Sequence, residues 1–117
     1  MNKKELKNKI YDLTNNKDIF IKETPKELTI WASTDDSELY TIYMNIWLED
    51  SFVTIRNYQL NFYIRGKGLG AKFYKLIEEY IKYLEYKEIR LHLVLTGAEN
   101  FWKKVGFIHE DIWRKYI

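Results

Sequence analysis

The chain has 117 residues, a length that suits one domain (about 100–200 residues each) able to bury roughly 65% of its unfolded surface. With 46% hydrophobic and 31% charged residues and a single proline it reads as globular and not as disordered. The absence of cysteine excludes a disulfide scaffold, a thiolate zinc site and a cysteine nucleophile. His92 and His109 lack a matching carboxylate cluster, so no metal site is expected. A net charge of +2 gives too weak a field for nucleic acid to be the main partner. No apolar run approaches the length that spans a membrane. Met1–Glu5 has no apolar segment behind its lysines, so a signal peptide is not expected and the cytoplasm is the expected location. Four Trp, ten Tyr and six Phe are a heavy aromatic load, part of it core and part available as a flat surface for a ligand or partner.

Leu6, Ile10 and Leu13 recur at helical spacing in a polar background, which predicts a surface helix over residues 3–14, ended by Asn15-Asn16. Ile19 and Ile21 alternate with polar neighbours before the Thr24-Pro25 turn; Leu28, Ile30 and Ala32 alternate again before the turn-forming run 33–37. Two further strands are predicted, Leu39 to Leu48 and Phe52 to Phe62, broken by Glu49-Asp50-Ser51. Short turns between consecutive strands imply an antiparallel meander. Leu69, Phe73, Leu76, Ile77, Tyr80, Ile81 and Leu84 form a broad apolar stripe and predict a helix over 68–85. Alternation from Ile89 to Leu95 predicts a strand, and Thr96-Gly97-Ala98-Glu99 fits a capping box for a short helix that ends near Gly106. Residues 107–117 read as one closing strand. The expected organisation is one domain over 1–117: an N-terminal helix (1–16), a strand meander (17–62) and a ligand-binding half (63–117).

The most informative stretch is Arg65-Gly66-Lys67-Gly68-Leu69-Gly70-Ala71, between a strand and the long amphipathic helix. It places unpaired backbone N–H groups at the positive end of a helix, where an anion binds. Glycines allow close approach of backbone to ligand, and Arg65 and Lys67 add charge. The glycine spacing at 66, 68 and 70 is neither the dinucleotide G-x-G-x-x-G nor a Walker loop. Taken alone the loop indicates a diphosphate ligand, with a tight turn as the plain alternative.

The order of features is more specific. A meander, then Arg-x-x-Gly-x-Gly opening a helix, then a strand, then Ala98-x-x-Phe101-Trp102-x-x-x-Gly106-Phe107 resembles the GCN5-related N-acetyltransferase family over roughly residues 27–117. The resemblance implies an α/β (α+β) fold, a twisted, mostly antiparallel sheet with one splayed strand pair flanked by helices. It implies acetyl-CoA as co-substrate, with no metal, and direct transfer of the acetyl group to an amine of a small molecule or protein. The backbone from Arg65 through Gly66, Lys67, Gly68, Leu69, Gly70 and Ala71 would wrap the pyrophosphate, with Lys72 nearby. Leu60 and Phe62 would pair with the pantetheine amides and orient the thioester, placing N–H dipoles where an oxyanion develops. Phe101 and Trp102 would line the thiol end. Lys103 and Lys104 could face the 3′-phosphate, or simply be solvated.

Three departures shape the catalytic reading. Many members carry a Tyr acid where this chain has Trp102; Tyr58, on the same side of its strand as Leu60, is the candidate substitute. Where some members place a Glu base this chain has Thr54, which leaves Glu49, Asp50 or His92 acting through water, with Glu49 the named candidate. The chemistry could also proceed by proximity alone, with water carrying the proton. Finally, the two helices that family members commonly insert between the first two strands have no room between Ile21 and Leu28. The acceptor side is then open, closed by helix 3–14, or closed by a second subunit of a homodimer. A catalytically weak acyl-CoA-binding module acting through protein contacts is the alternative reading.

Overall fold

The structure is a computed structural model and describes residues 1–14, 18–33, 40–60 and 68–117. Phe62, Arg65, Gly66 and Lys67 of the expected ligand loop lie outside the described residues.

Period-two alternation builds the sheet. On β1 (Ile19–Glu23), β2 (Glu27–Ser33) and β3 (Tyr40–Leu48), the apolar positions Ile19, Leu28, Ile30, Ala32, Ile42, Met44 and Ile46 are all buried on one face. Antiparallel registers such as Ile21↔Ile30 and Ile30↔Met44 line these residues up across strands. The β1–β2 connection is a tight turn closed by the Thr24 amide donating to the Glu27 carbonyl at 2.9 Å, so no helix intervenes.

A third antiparallel pairing adds β4 (Val53–Leu60). The chain then crosses through α2 (Leu69–Tyr83) to β5 (Glu88–Leu91), which lies parallel to β4. α3 (Glu99–Lys104), β6 (Ile108–His109) and β7 (Trp113–Tyr116) complete a seven-stranded sheet ordered β1-β2-β3-β4-β5-β7-β6. This is the mixed, mostly antiparallel α+β architecture expected from the sequence.

α2 covers the apolar face with Phe73, Tyr74, Ile77, Tyr80 and Ile81. α1 (Lys3–Thr14) buries Leu6 and Ile10 beside α2 and β1, with Lys9 paired to Glu79 at 3.8 Å. The Tyr80 hydroxyl donates to Glu23 at 2.6 Å and ties α2 to β1. Beneath α3, Lys115 of β7 reaches the Val105 carbonyl at 2.7 Å and Glu78 of α2 at 2.5 Å, while the Tyr74 hydroxyl donates to Glu78 at 3.0 Å. Glu78 is buried, so this ion pair and its hydrogen bonds stand in for water.

Three sequence expectations are corrected. The strand predicted through Leu95 stops at Leu91, because its partner β4 diverges there; Leu93 and Leu95 are 71% and 69% exposed. Thr96 is not an N-cap: Thr96–Ala98 form a 3₁₀ turn, closed by the Ala98 amide on the Leu95 carbonyl at 2.8 Å, and no side chain caps α3. Residues 107–117 form a hairpin of two short strands, with the Glu110 amide bonded to the Ile112 carbonyl at 3.2 Å. The expected glycine stop of α3 is present: Gly106 adopts φ 107°, and its amide and that of Phe107 bond back to Lys103 and Trp102.

Candidate acyl-CoA site

The site begins with an irregularity in β4. Asn45 pairs with Asn57 and Ile46 with Ile55, so Arg56 is an extra residue, a β-bulge. The bulge resets the alternation. Val53 and Ile55 face the core, and after the extra residue Tyr58 and Leu60 face it too, opposite Met44 and Ile42. Arg56 and Asn57 are both exposed. The signal was legible as apolar spacing of two, three and two through Val53, Ile55, Tyr58 and Leu60, which sequence reasoning passed over.

The parallel pairing of β4 with β5 covers Val53–Ile55 against Ile89–Leu91. The His92 amide donating to the Ile55 carbonyl at 3.0 Å is its last described rung. Beyond the bulge the strands part, and a wedge-shaped cleft of about 280 Å³ opens between them. Ile55, Arg56, Asn57 and Tyr58 form its β4 wall. Leu91, Leu93 and Leu95 face them, and Ala98 and Trp102 close the α3 side. The two exposed leucines that sequence alternation assigned to a strand are therefore the apolar wall of the cleft.

At the wide end sits the start of α2. Gly68 is its N-cap at φ 73°, a left-handed conformation that favours glycine, and a Cβ there would meet nothing within 4 Å. The Lys72 amide bonds to the Gly68 carbonyl at 3.2 Å. Leu69, Gly70 and Ala71 precede it in the first turn, where an α-helix offers its amides no intrahelical partner. Gly70 is the closest approach of the three elements: a Cβ there would lie 3.2 Å from Leu60, 3.4 Å from the Tyr58 hydroxyl and 3.5 Å from Phe101. Lys72 is exposed and lines a separate groove of about 330 Å³ between α1 and α2, with Lys9, Asp12, Leu13 and Leu76.

Tyr58 is the hub of an aromatic cluster, with ring centroids 5.9 Å from Phe73, 5.8 Å from Phe101 and 6.0 Å from Trp102. Its hydroxyl donates to the Gly70 carbonyl at 2.7 Å, and burial pushes the phenol well above its ordinary value. A phenol so placed is a poor acid; its geometry is that of a brace between β4 and α2. The expectation of Tyr58 as the proton donor gains no support from this geometry. Trp102 is buried against Tyr74 and Phe107, its position fixed by edge-to-face contacts at 5.9 and 5.3 Å.

Glu49 does not line the cleft. It is exposed in the β3–β4 turn, where it accepts from the Thr54 hydroxyl at 3.0 Å. Thr54 pairs with Trp47 and Arg90, on the opposite sheet face from Ile55 and Tyr58. Nor does α1 wall the cleft: it packs on α2 and β1, three strands from β4. On the face opposite the helices, sequence reasoning missed a cluster at the fork. The Arg56 guanidinium lies 4.7 Å from the centroid of Trp47, and the His92 ring is 5.4 Å from it on its β5 side.

A mostly antiparallel sheet that forks between β4 and β5, with a glycine-capped helix start beside the fork, defines the fold of the GCN5-related N-acetyltransferases. Solved structures of that family superpose on this chain. The PaiA N-acetyltransferase of Thermoplasma acidophilum, solved with coenzyme A, gives a TM-score of 0.68 at 19% identity over 79% of this chain and 62% of its own length. Tetrahymena GCN5 gives 0.65 at 9% identity, over 80% of this chain and 70% of its own. A GNAT-family acetyltransferase of Elizabethkingia anophelis, with acetyl-CoA bound, gives 0.62 at 18% identity, over 74% and 57%. The chain thus spans less than two thirds of the length of two of these three. At such identities the likeness establishes the fold. No known protein family's sequence profile matches the chain, and no curated protein matches its sequence. Among the described residues no helix is long and apolar enough to cross a membrane, and no group of three His, Asp or Glu residues could hold a metal.

Proposed function

We propose that the chain is an N-acetyltransferase that moves the acetyl group of acetyl-CoA directly to an amine. The observation that carries this reading is the fork: β4 continues past Ile55 with β3 on one edge and an apolar-walled cleft on the other. The pyrophosphate lies at the first turn of α2, against the amides of Gly68, Leu69, Gly70 and Ala71, with the loop residues Arg65, Gly66 and Lys67 completing the grip. The pantetheine arm runs along β4 from Leu60 toward the fork. Leu60 and Arg56 are separated by about 13 Å at roughly 3.3 Å per strand residue. The thioester comes to rest near the bulge, flanked by Trp102, and Phe101 packs behind Tyr58 and Gly70.

The residues then act by position. The backbone of β4 beside the cleft offers N–H groups to the thioester oxygen as the amine attacks. The departing thiolate has a pKa near that of a cysteine thiol, about 8.5, so it leaves without a strong acid, and the proton that the attacking amine sheds passes through water in the cleft to the thiolate. Holding amine and thioester in contact supplies most of the acceleration. Acetyl-CoA should raise the melting temperature by several degrees, and CoA thiol should appear when an amine panel is added. Gly68→Glu, which sets a carboxylate at the phosphate-binding turn in a left-handed conformation, should abolish both. Stabilisation by acetyl-CoA with no thiol release from any amine would leave only a binding module.

A further inference from the structure

We infer that Arg56 forms a carboxylate-binding subsite at the closed end of the cleft, so that the acceptor is an amine carrying a carboxylate a few bonds away, an α-amino acid being the simplest case. Among the described residues lining the cleft, Arg56 alone carries a charge. Among the described residues no carboxylate pairs with its guanidinium; its recorded partner is the Trp47 ring, 4.7 Å away. Cation–π attraction to the indole holds the guanidinium in place without using its N–H donors, which suits two-point recognition of a carboxylate. The bulge exposes Asn57 next to Arg56, which adds an amide donor at the same wall. The His92 ring lies 5.4 Å from that of Trp47, and the His92 amide closes the fork through the Ile55 carbonyl.

The charge pattern also bears on the nucleophile. Among the described residues of the cleft wall there is no carboxylate to favour an ammonium ion, and a guanidinium nearby disfavours it. An acceptor without a carboxylate meets that repulsion uncompensated. One with a carboxylate docks on Arg56, which offsets that repulsion and holds the amine against the thioester. The transfer step rests on the acetyl-CoA reading above, whereas the carboxylate subsite is tested by binding alone.

The probes are L-alanine and L-alaninamide, titrated into the CoA-saturated protein and followed by calorimetry and by the Trp47 indole N–H signal in NMR. A charge-assisted two-point contact should make alanine bind about 10- to 100-fold more tightly than its amide. Arg56→Ala should erase the difference while leaving stabilisation by CoA in place, and Arg56→Lys should restore part of it. Equal affinities, tighter binding of the amide, or a preference that survives Arg56→Ala would each overturn the inference. If the preference follows Arg56 but no amine releases CoA thiol, the acetyl-transfer reading fails and the subsite stands. If thiol release proceeds equally from both probes, the reverse holds.

Discussion

Removing the Tyr58 hydroxyl distinguishes a brace from a proton donor. Tyr58→Phe deletes one oxygen and leaves the ring contacts to Phe73, Phe101 and Trp102 intact. The lost interaction is the 2.7 Å bond to the Gly70 carbonyl. That carbonyl lies in the first turn of α2 and keeps its helical partner four residues on, so it is not orphaned. The net loss is then about 1 kcal/mol. For a chain of this size that lowers the melting temperature by about 4 °C. Because the bond ties the phosphate-binding turn to β4, the KM for acetyl-CoA should rise about threefold, with kcat reduced by less than fivefold; a general acid would instead cost about 10²–10⁴-fold in kcat. Thermal denaturation and initial-rate kinetics on the same preparation measure both. An unchanged melting temperature with kcat down a hundredfold would refute the bracing argument and return Tyr58 to the role of acid.

Lys115→Met should destabilise by about 3 kcal/mol, since it leaves the buried Glu78 carboxylate without its cation; Lys115→Met combined with Glu78→Gln should recover most of that in denaturant titrations. Gly106→Ala should cost about 2 kcal/mol: it forces a Cβ to φ 107° and to 2.8 Å from Lys115 Cε, and a melting temperature within 2 °C of the parent would count against this packing. Tyr58, Tyr74 and Tyr80 all have pKa values raised above 10, chiefly by burial. In the pH range above about 10 the unfolded chain releases protons that the folded one keeps, so stability present below that pH is lost as it rises. Melting curves from pH 9 to 11.5 should fall steeply beyond 10, and a flat profile would contradict the burial of these hydroxyls.

The strand meander and both long helices were readable because alternation and helical period follow directly from which face is buried. Leu28, Ile30 and Ala32 needed nothing more than a count of two, and Phe73, Ile77 and Ile81 nothing more than a helical repeat. Errors arose where one physical signal served two ends. Leu93 and Leu95 keep the alternation of β5 but have no strand beside them among the described residues, and their apolar side chains wall a cleft. Thr96-x-x-Glu99 has the composition of a capping box, yet Thr96 lies inside a 3₁₀ turn, which takes its hydroxyl out of reach of the α3 amides. The hairpin at 108–116 hid behind an apolar pattern, with Glu110-Asp111 as the overlooked break. Candidate catalytic groups were the least legible. Sequence spacing put Tyr58 on the correct side of β4, but only coordinates show its hydroxyl occupied by Gly70 and the Glu49 carboxylate by Thr54. The Arg56–Trp47–His92 cluster joins three strands, and no local pattern announces it.

The surplus residue at position 56 makes the length of β4 a coded quantity. Deleting one amino acid between Ile55 and Tyr58 would restore plain period-two spacing: Tyr58 and Leu60 would still face the core, and the bulge with its two adjacent outward residues would be gone. A frame-preserving loss of a single codon there would spare the core and flatten the cleft wall, a lesion of the site and not of the fold. Natural length variation in proteins built on this plan should therefore fall in the connections and spare these few positions.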